Sequence, residues 1–99
     1  MARRLVFRPQ AQADLESIRA FVAADSPRAA LRFIDSIEKR CRSLSDFPGQ
    51  GRARNDLFSG LRVLPFGRSV VIGYLSSDEI VEVLRIWYGG QNYEDFFRH

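Results

Sequence analysis

Apolar residues change their spacing partway along the chain, and that change divides it in two. Leu5 and Phe7 share one side of a short alternating run from Arg3 to Arg8, the pattern of a strand. Pro9 ends the run and suits the first position of a helix, where its missing N–H is not needed. Ala11, Leu15, Ile18 and Val22 then recur at i, i+4, i+7 and i+11, which traces one face of a helix. Asp14 and Glu16 fall near its start, where negative charge suits the helix dipole. At Asp25-Ser26-Pro27 the chain resets: Ser26 is a good N-cap and Pro27 a good first helical residue. Ala30, Phe33, Ile34, Ile37, Cys41 and Leu44 hold helical spacing beyond it, with Arg28, Arg32, Asp35, Glu38, Lys39 and Arg42 mostly opposite. So short a connection between two helices predicts an αα-hairpin.

Phe47-Pro48-Gly49-Gln50-Gly51 ends the helical half. Leu61 to Phe66 reads as a strand, and Phe66-Gly67-Arg68 as a hairpin turn. Ser69 to Leu75 is nearly all apolar, as expected of a central strand buried on both faces. Ser76-Ser77-Asp78 makes a second turn. Ile80 to Tyr88, rich in β-branched and aromatic residues, is a third strand of this group, stopped by Gly89-Gly90. The tail Tyr93 to Phe97 fits either a short helix or a final edge strand. The order β-α-α-β-β-β predicts an α+β fold, with the N-terminal strand beside an antiparallel meander and the αα-hairpin across one face. Nothing in the pattern covers the other face, so a half-open sheet with a basic rim is expected there, a natural docking surface.

Composition narrows this picture. The 99 residues make one domain, 1–99. With 45% apolar and 27% charged residues the chain is of ordinary globular make-up. Cys41 stands alone, which excludes an internal disulfide and suits a reducing cytosol. No apolar run approaches the roughly 20 residues of a membrane span, and the N-terminus lacks the apolar stretch of a signal peptide; a cytoplasmic protein is expected. The net charge is +3 and every basic residue but Lys39 is arginine. Arginine forms planar bidentate contacts with carboxylates and phosphates, so an acidic protein or a nucleic acid is the partner class that charge permits.

Few residues are equipped for chemistry. Arg62, Arg68 and Arg85 supply positive charge on or beside the sheet. Tyr88 and Tyr93 are the remaining acid–base groups there, but an unshifted tyrosine titrates near pH 10, and aromatics at a strand end more simply cover a core or a partner. His99, the only histidine, is the last residue, where chains fray. Cys41 lies in the apolar stripe of the second helix and reads as a small core residue. No histidine–cysteine spacing suggests a metal site. Gly49-Gln50-Gly51 and Gly89-Gly90 lack the lysine and helix of a phosphate loop. No cofactor is expected, and Asp78 and Glu79, in a turn, make no paired-carboxylate site.

Taken in order, several segments resemble the ParE branch of the RelE/ParE toxin superfamily. They are the helix opening Pro9-Gln10-Ala11-Gln12-Ala13-Asp14-Leu15-Glu16-Ser17-Ile18, the stretch Ala29-Ala30-Leu31-Arg32-Phe33-Ile34-Asp35, and the exit Leu44-Ser45-Asp46-Phe47-Pro48-Gly49-Gln50-Gly51-Arg52. Gly60-Leu61-Arg62-Val63-Leu64-Pro65-Phe66-Gly67-Arg68 and Val83-Leu84-Arg85-Ile86 complete the set. The resemblance runs from Leu5 to about Phe97. It implies a bacterial type II toxin, silenced by an antitoxin whose C-terminal segment wraps the groove between helices and sheet. On that reading Phe21, Phe58, Arg62, Arg68 and Arg85 meet a ParD-like antitoxin. Trp87, Tyr88, Gln91, Tyr93, Phe96 and Phe97 belong to the tail that the family ties to toxicity. The implied target is DNA gyrase, poisoned without catalysis and without sequence-specific nucleic-acid binding by the toxin alone.

Two departures keep rival readings in view. RelE-type ribonucleases carry arginines after the last strand and a late tyrosine; here Gly90, Gln91 and Asn92 follow, and then Phe96 or Phe97, which move no proton. Many ParE members carry a histidine, a glycine and an arginine–aspartate pair where this chain has Tyr88-Gly89-Gly90-Gln91-Asn92. The alternatives are a ribosome-dependent mRNA endonuclease of the RelE type and a non-toxic remnant that still binds its antitoxin.

Overall fold

The structure is a computed structural model and describes residues 2–98. Strand β1 (Arg4–Phe7) leads into helix α1 (Pro9–Ala23) and helix α2 (Pro27–Ser43). A single 3-10 turn (Pro48–Gln50) precedes strands β2 (Arg52–Ala53), β3 (Arg62–Phe66), β4 (Val70–Ser76) and β5 (Ile80–Tyr88), and helix α3 (Tyr93–Phe97) ends the chain. The strands form one sheet in the order β1-β5-β4-β3-β2. Among the described residues only β1 and β5 run parallel; the other neighbours are antiparallel. The expected α+β order therefore holds, with one addition. β2 is two residues long, opposite Val63 and Arg62, too short to leave a periodic trace.

Local chemistry sets the helix ends. The Ser26 hydroxyl accepts the Ala29 N–H at 3.1 Å, and Pro27 follows it, the cap and first residue that α2 needs. The tail resolves as a helix because the Asn92 side chain accepts the Glu94 N–H at 3.0 Å. Asp14 lies beyond the first turn of α1, so its carboxylate serves another purpose, described below.

The face under α1 and α2 holds the main core. Ala11, Ile37, Cys41, Leu44, Ile72, Tyr74, Val81 and Val83 are completely buried there. Each large apolar side chain buried this way stabilises the fold by roughly 1.5–3 kcal/mol before entropy is counted. Desolvation pushes the Cys41 thiol up to about 12, so it stays protonated and acts as filler. Tyr74 closes the polar end of this layer. Its hydroxyl donates to the Pro48 carbonyl at 2.6 Å and accepts the Gly51 N–H at 2.8 Å.

The opposite face is not bare, contrary to the sequence expectation. Leu61, Val63 and Leu84 are buried on it, with Leu57, Tyr93 and Phe97 packed against them, and Trp87 is only 3% exposed. A β-bulge makes this possible. Tyr74 faces Val83 but Gly73 faces Arg85, so Leu84 is the extra residue and the alternation of β5 changes phase there. Val83 and Ile86 consequently both reach the main core. Gly73 completes the second layer, since a Cβ on it would sit 2.6 Å from the Trp87 ring.

Candidate functional site: two clefts joined by an ion pair

β5 is longer than its neighbour β1. Pairing between them ends at Phe7 opposite Val83, and the Arg8 N–H donates to the Val83 carbonyl at 3.0 Å. From there α1 runs beside the remainder of β5, and two β5 amides on that side are met by side chains. Asp14 Oδ2 accepts the Ile86 N–H at 2.8 Å. Gln91 Oε1 accepts the Tyr88 N–H at 3.0 Å. Gly89 and Gly90, at φ of 68° and 83°, turn the chain back so that Gln91 can do this, a conformation that side-chain-bearing residues adopt at a cost.

Asp14 also holds Arg85 in a bidentate pair, Nε to Oδ2 at 2.8 Å and Nη2 to Oδ1 at 3.0 Å. The two side chains are 15% and 26% exposed, and the carboxylate raises the guanidinium's pKa. The Arg85 guanidinium also stands 4.7 Å from the centre of the Phe96 ring, a cation–π arrangement. The bulge on β5 aims Arg85 into this position.

A cleft lies on each side of the pair. The first, about 420 Å³, is lined by Asp14, Ile18, Phe21, Ile86, Tyr88 and Gln91 among others. Phe21 is 69% exposed and meets the Tyr88 ring edge-on at 5.9 Å; Phe33 meets the same ring at 5.7 Å. The second, about 390 Å³, is lined by Arg8, Phe58, Leu84, Arg85, Phe96 and Phe97 with Gln10. Phe58 packs on Phe97 at 6.1 Å, and both Phe96 and Phe97 meet Trp87 at 5.9 Å.

Arg54 ties the α3 wall of the second cleft in place. It is only 9% exposed. Its Nε and Nη2 donate to the two Asp56 oxygens at 3.0 and 2.9 Å, its Nη2 also to Glu94 at 2.7 Å, and its Nη1 to the Tyr93 hydroxyl at 2.8 Å. Hydrogen bonding to Arg54 holds the Asp56 carboxyl below the usual carboxylate range, and Asp56 and Glu94 together push the guanidinium's pKa up. Neither Arg54 nor Asp14 stood out in the sequence as a site residue.

The residues singled out from sequence are thus regrouped. Phe21, expected on the antitoxin side, shares a cleft with Tyr88 and Gln91, expected on the toxicity side. Phe58, also expected on the antitoxin side, stacks with the tail residues Phe96 and Phe97. Trp87 is a buried centre of the second core and, with α3 docked, presents almost no surface to a partner. Tyr93 packs on Trp87 at 5.5 Å, and its hydroxyl oxygen accepts from Arg54. Arg62 lies in neither cleft; its Nη1 donates to the Gly51 carbonyl at 2.6 Å. Arg68 is exposed in the β3–β4 turn and lines neither cleft. The three arginines therefore do not converge on one point. Among the described residues no group of three or more histidine, cysteine, aspartate or glutamate side chains is placed to hold a metal ion. No described helix is long and apolar enough to cross a membrane. His99 lies outside the described residues.

Comparison with known proteins gives one consistent family. Residues 5–93 match the model of the ParE toxin of type II toxin–antitoxin systems, parDE. A toxin from Caulobacter vibrioides, RelE2, is 32% identical over 83 residues, covering 84% of this chain and 91% of that protein. A solved chain of a chromosomal ParDE toxin–antitoxin system from P. aeruginosa superposes with a TM-score of 0.74 at 25% identity, covering 88% of this chain and 96% of that one.

Proposed function

The chain belongs to the ParE toxin family of type II toxin–antitoxin systems, and we propose that it arrests its host by poisoning DNA gyrase, without catalysis of its own, until a ParD-like antitoxin binds it. The family match over residues 5–93 carries this reading. The ParDE likeness supports an antitoxin partner. The first cleft, open, aromatic and bordered by the helical hairpin, suits the apolar anchors of a segment that folds on binding. The second cleft, walled by α3 and floored by Arg85, suits the target, since exposed aromatics beside arginine are typical binding hot spots.

The reading without catalysis draws support from how the candidate acid–base and cationic groups are distributed. Arg85 is paired with Asp14, Arg62 donates to a backbone carbonyl, the Tyr93 oxygen accepts from Arg54, and Tyr88 and Arg68 stand on other parts of the surface. RNA cleavage needs a proton-moving pair and a phosphate-stabilising cation around one point, and these groups are dispersed. One observation favours a second reading: the Caulobacter vibrioides relative bears the name RelE2, so a ribosome-dependent mRNA endonuclease is the competing activity.

A DNA-damage-response reporter read after inducing the toxin alone separates the two. Growth arrest with strong induction, followed by accumulation of cleaved DNA with purified gyrase, is the expected result. Arrest with a silent reporter and cleaved mRNA would overturn the gyrase reading. Soluble expression with no arrest would favour a remnant that only binds antitoxin.

A further inference from the structure

The positive charge of this chain is unevenly placed. Salt bridges occupy Arg8, Arg19, Lys39, Arg54, Arg85 and Arg98. Among the described residues, Arg4, Arg42 and Arg52 are exposed without an acidic partner at scattered positions, and Arg28, Arg32 and Arg40 on α2 and Arg68 in the β3–β4 turn are exposed without one as well. Residues four apart on a helix are neighbours, so Arg28, Arg32, Ser36 and Arg40 form one stripe, about 18 Å long at the rise of an α-helix. Lys39 and Arg40 flank a shallow depression of about 330 Å³ with Ser36, Ser43 and Phe66. Phe66 leads into the turn that carries Arg68, so the stripe and the turn share one side of the molecule. The Ser36 and Ser43 hydroxyls donate to their own helix carbonyls, which leaves the cations as the outward donors.

We propose that this side, Arg28, Arg32, Lys39, Arg40 and Arg68, is a binding surface for the phosphodiester backbone of double-stranded DNA, independent of base sequence. The charge is predominantly positive, with Asp35 paired to Lys39 as its acidic member, and the arginines are arranged along a line, which fits a row of phosphates. An acidic peptide that folds on binding would need apolar anchors. The depression offers Phe66 alone, whereas each cleft beside β5 offers several aromatics. The α2 stripe shares no lining residue with either cleft, while the Arg68 turn adjoins the first through the Gly89 N–H donated to the Ser69 carbonyl at 2.9 Å. If the gyrase reading holds, the toxin would grip DNA already held by its target; the surface itself requires only toxin and DNA.

The test is fluorescence anisotropy of the purified toxin with a labelled duplex of mixed sequence, across about 50 to 200 mM salt. Binding that weakens steeply with salt is expected. The variant Arg28→Gln/Arg32→Gln/Arg40→Gln keeps good helix formers and should flatten the logarithmic salt slope by about 2–3 units, near 0.9 per lost phosphate contact. Its affinity at low salt should drop by about tenfold or more. A control, Arg4→Gln/Arg42→Gln/Arg52→Gln, removes the same charge from other exposed positions and should change the slope by less than about one unit. Equal loss in both variants would reduce the effect to net charge and overturn the surface. So would tighter binding of poly-glutamate or of single-stranded RNA than of the duplex, or no duplex binding at low salt. None of these readouts involves gyrase, so failure here leaves the gyrase reading standing, and failure of that reading leaves this one.

Discussion

The two faces of the sheet are closed in different ways. Beneath α1 and α2, thirteen buried residues from Ala11 to Ile86 form one continuous core, with Leu5, Phe33, Tyr88 and others packed against it. On the other face Leu61, Val63 and Leu84 form a small buried cluster with Trp87 buried beside it, and a five-residue helix, α3, is held over them by aromatic edges and by Arg54. Apolar burial is non-directional and scales with area, so the first face tolerates local change as long as volume is kept. The second depends on the geometry of one guanidinium. A helix of five residues has no stability of its own, so α3 stays folded only while it is docked. The difference separates a rigid scaffold from a wall that small changes can loosen, and the exposed aromatics of the second cleft sit on that wall.

The largest effect should come from breaking the scaffold. Ile37 is completely buried between α2 and the sheet. Ile37→Ala removes buried methylenes and leaves a cavity, which costs roughly 2–5 kcal/mol. Denaturant unfolding followed by circular dichroism should show that loss as a lower midpoint with an unchanged slope. A loss under about 1 kcal/mol would mean that the first face is less tightly packed than its burial implies.

Next come variants that divide the two clefts. Phe58→Ala with Phe96→Ala should weaken gyrase inhibition by tenfold or more, as expected for aromatic hot spots of about 2 kcal/mol, and leave antitoxin affinity nearly unchanged. Phe21→Ala should do the reverse. Phe21, Phe58 and Phe96 are all exposed and outside the buried clusters, so circular dichroism should stay as it was. If both variants lose both activities equally, the clefts are not separate docking sites.

How much of this was readable in the sequence follows from the same contrast. α2 carries a continuous helical stripe because one of its faces packs on a single layer, β4 and β5 stand out as dense apolar and β-branched runs, and the limits of all three were read to within a residue or so. The cover of the second face left no such trace. It is assembled from Leu57, Leu61, Val63, Leu84 and Phe97, single residues from different elements, and a bulge at Leu84 breaks the alternation that would have revealed it. The ion pairs were hidden for a related reason. Arg85 and Asp14 are 71 positions apart, and Arg54 and Glu94 are 40 apart, so spacing carries no sign of either. Arg62, Arg68 and Arg85 were legible as basic residues near the sheet, but not that each would face a different way.

A smaller, local effect should follow from Arg54→Gln. The variant leaves Glu94 and the Tyr93 hydroxyl without their shared donor and removes the cation that α3 is tied to. Hydrogen exchange in α3 should speed up by about tenfold or more, while exchange in α2 and β4 stays nearly unchanged, as for local opening of a weakly held unit. Arg54→Lys should restore little, because an ammonium cannot make the forked contacts to Asp56 and Glu94 at once. Uniform acceleration across the whole chain would instead make Arg54 part of the global fold.

The mildest perturbation is acid, and its sign follows from Asp56. Arg54 holds this carboxyl below its ordinary value, so the folded state binds the proton more weakly than the unfolded state does. The contribution is complete above the ordinary carboxylate pKa, about 3.9, and disappears as the pH falls from there through the lowered value. Trp87, the only tryptophan, is buried beneath α3 against Tyr93, Phe96 and Phe97, so its emission should report the loosening directly. A red shift beginning below about pH 4, at a higher pH than the loss of far-ultraviolet helical signal from α1 and α2, is the expected order of events. In Arg54→Gln the emission at neutral pH should already resemble that of the acid-loosened form, and the acid step should shrink. Should the step persist unchanged in that variant, or coincide with loss of the α1 and α2 signal, the second face would not be the separately held wall that its clamp implies.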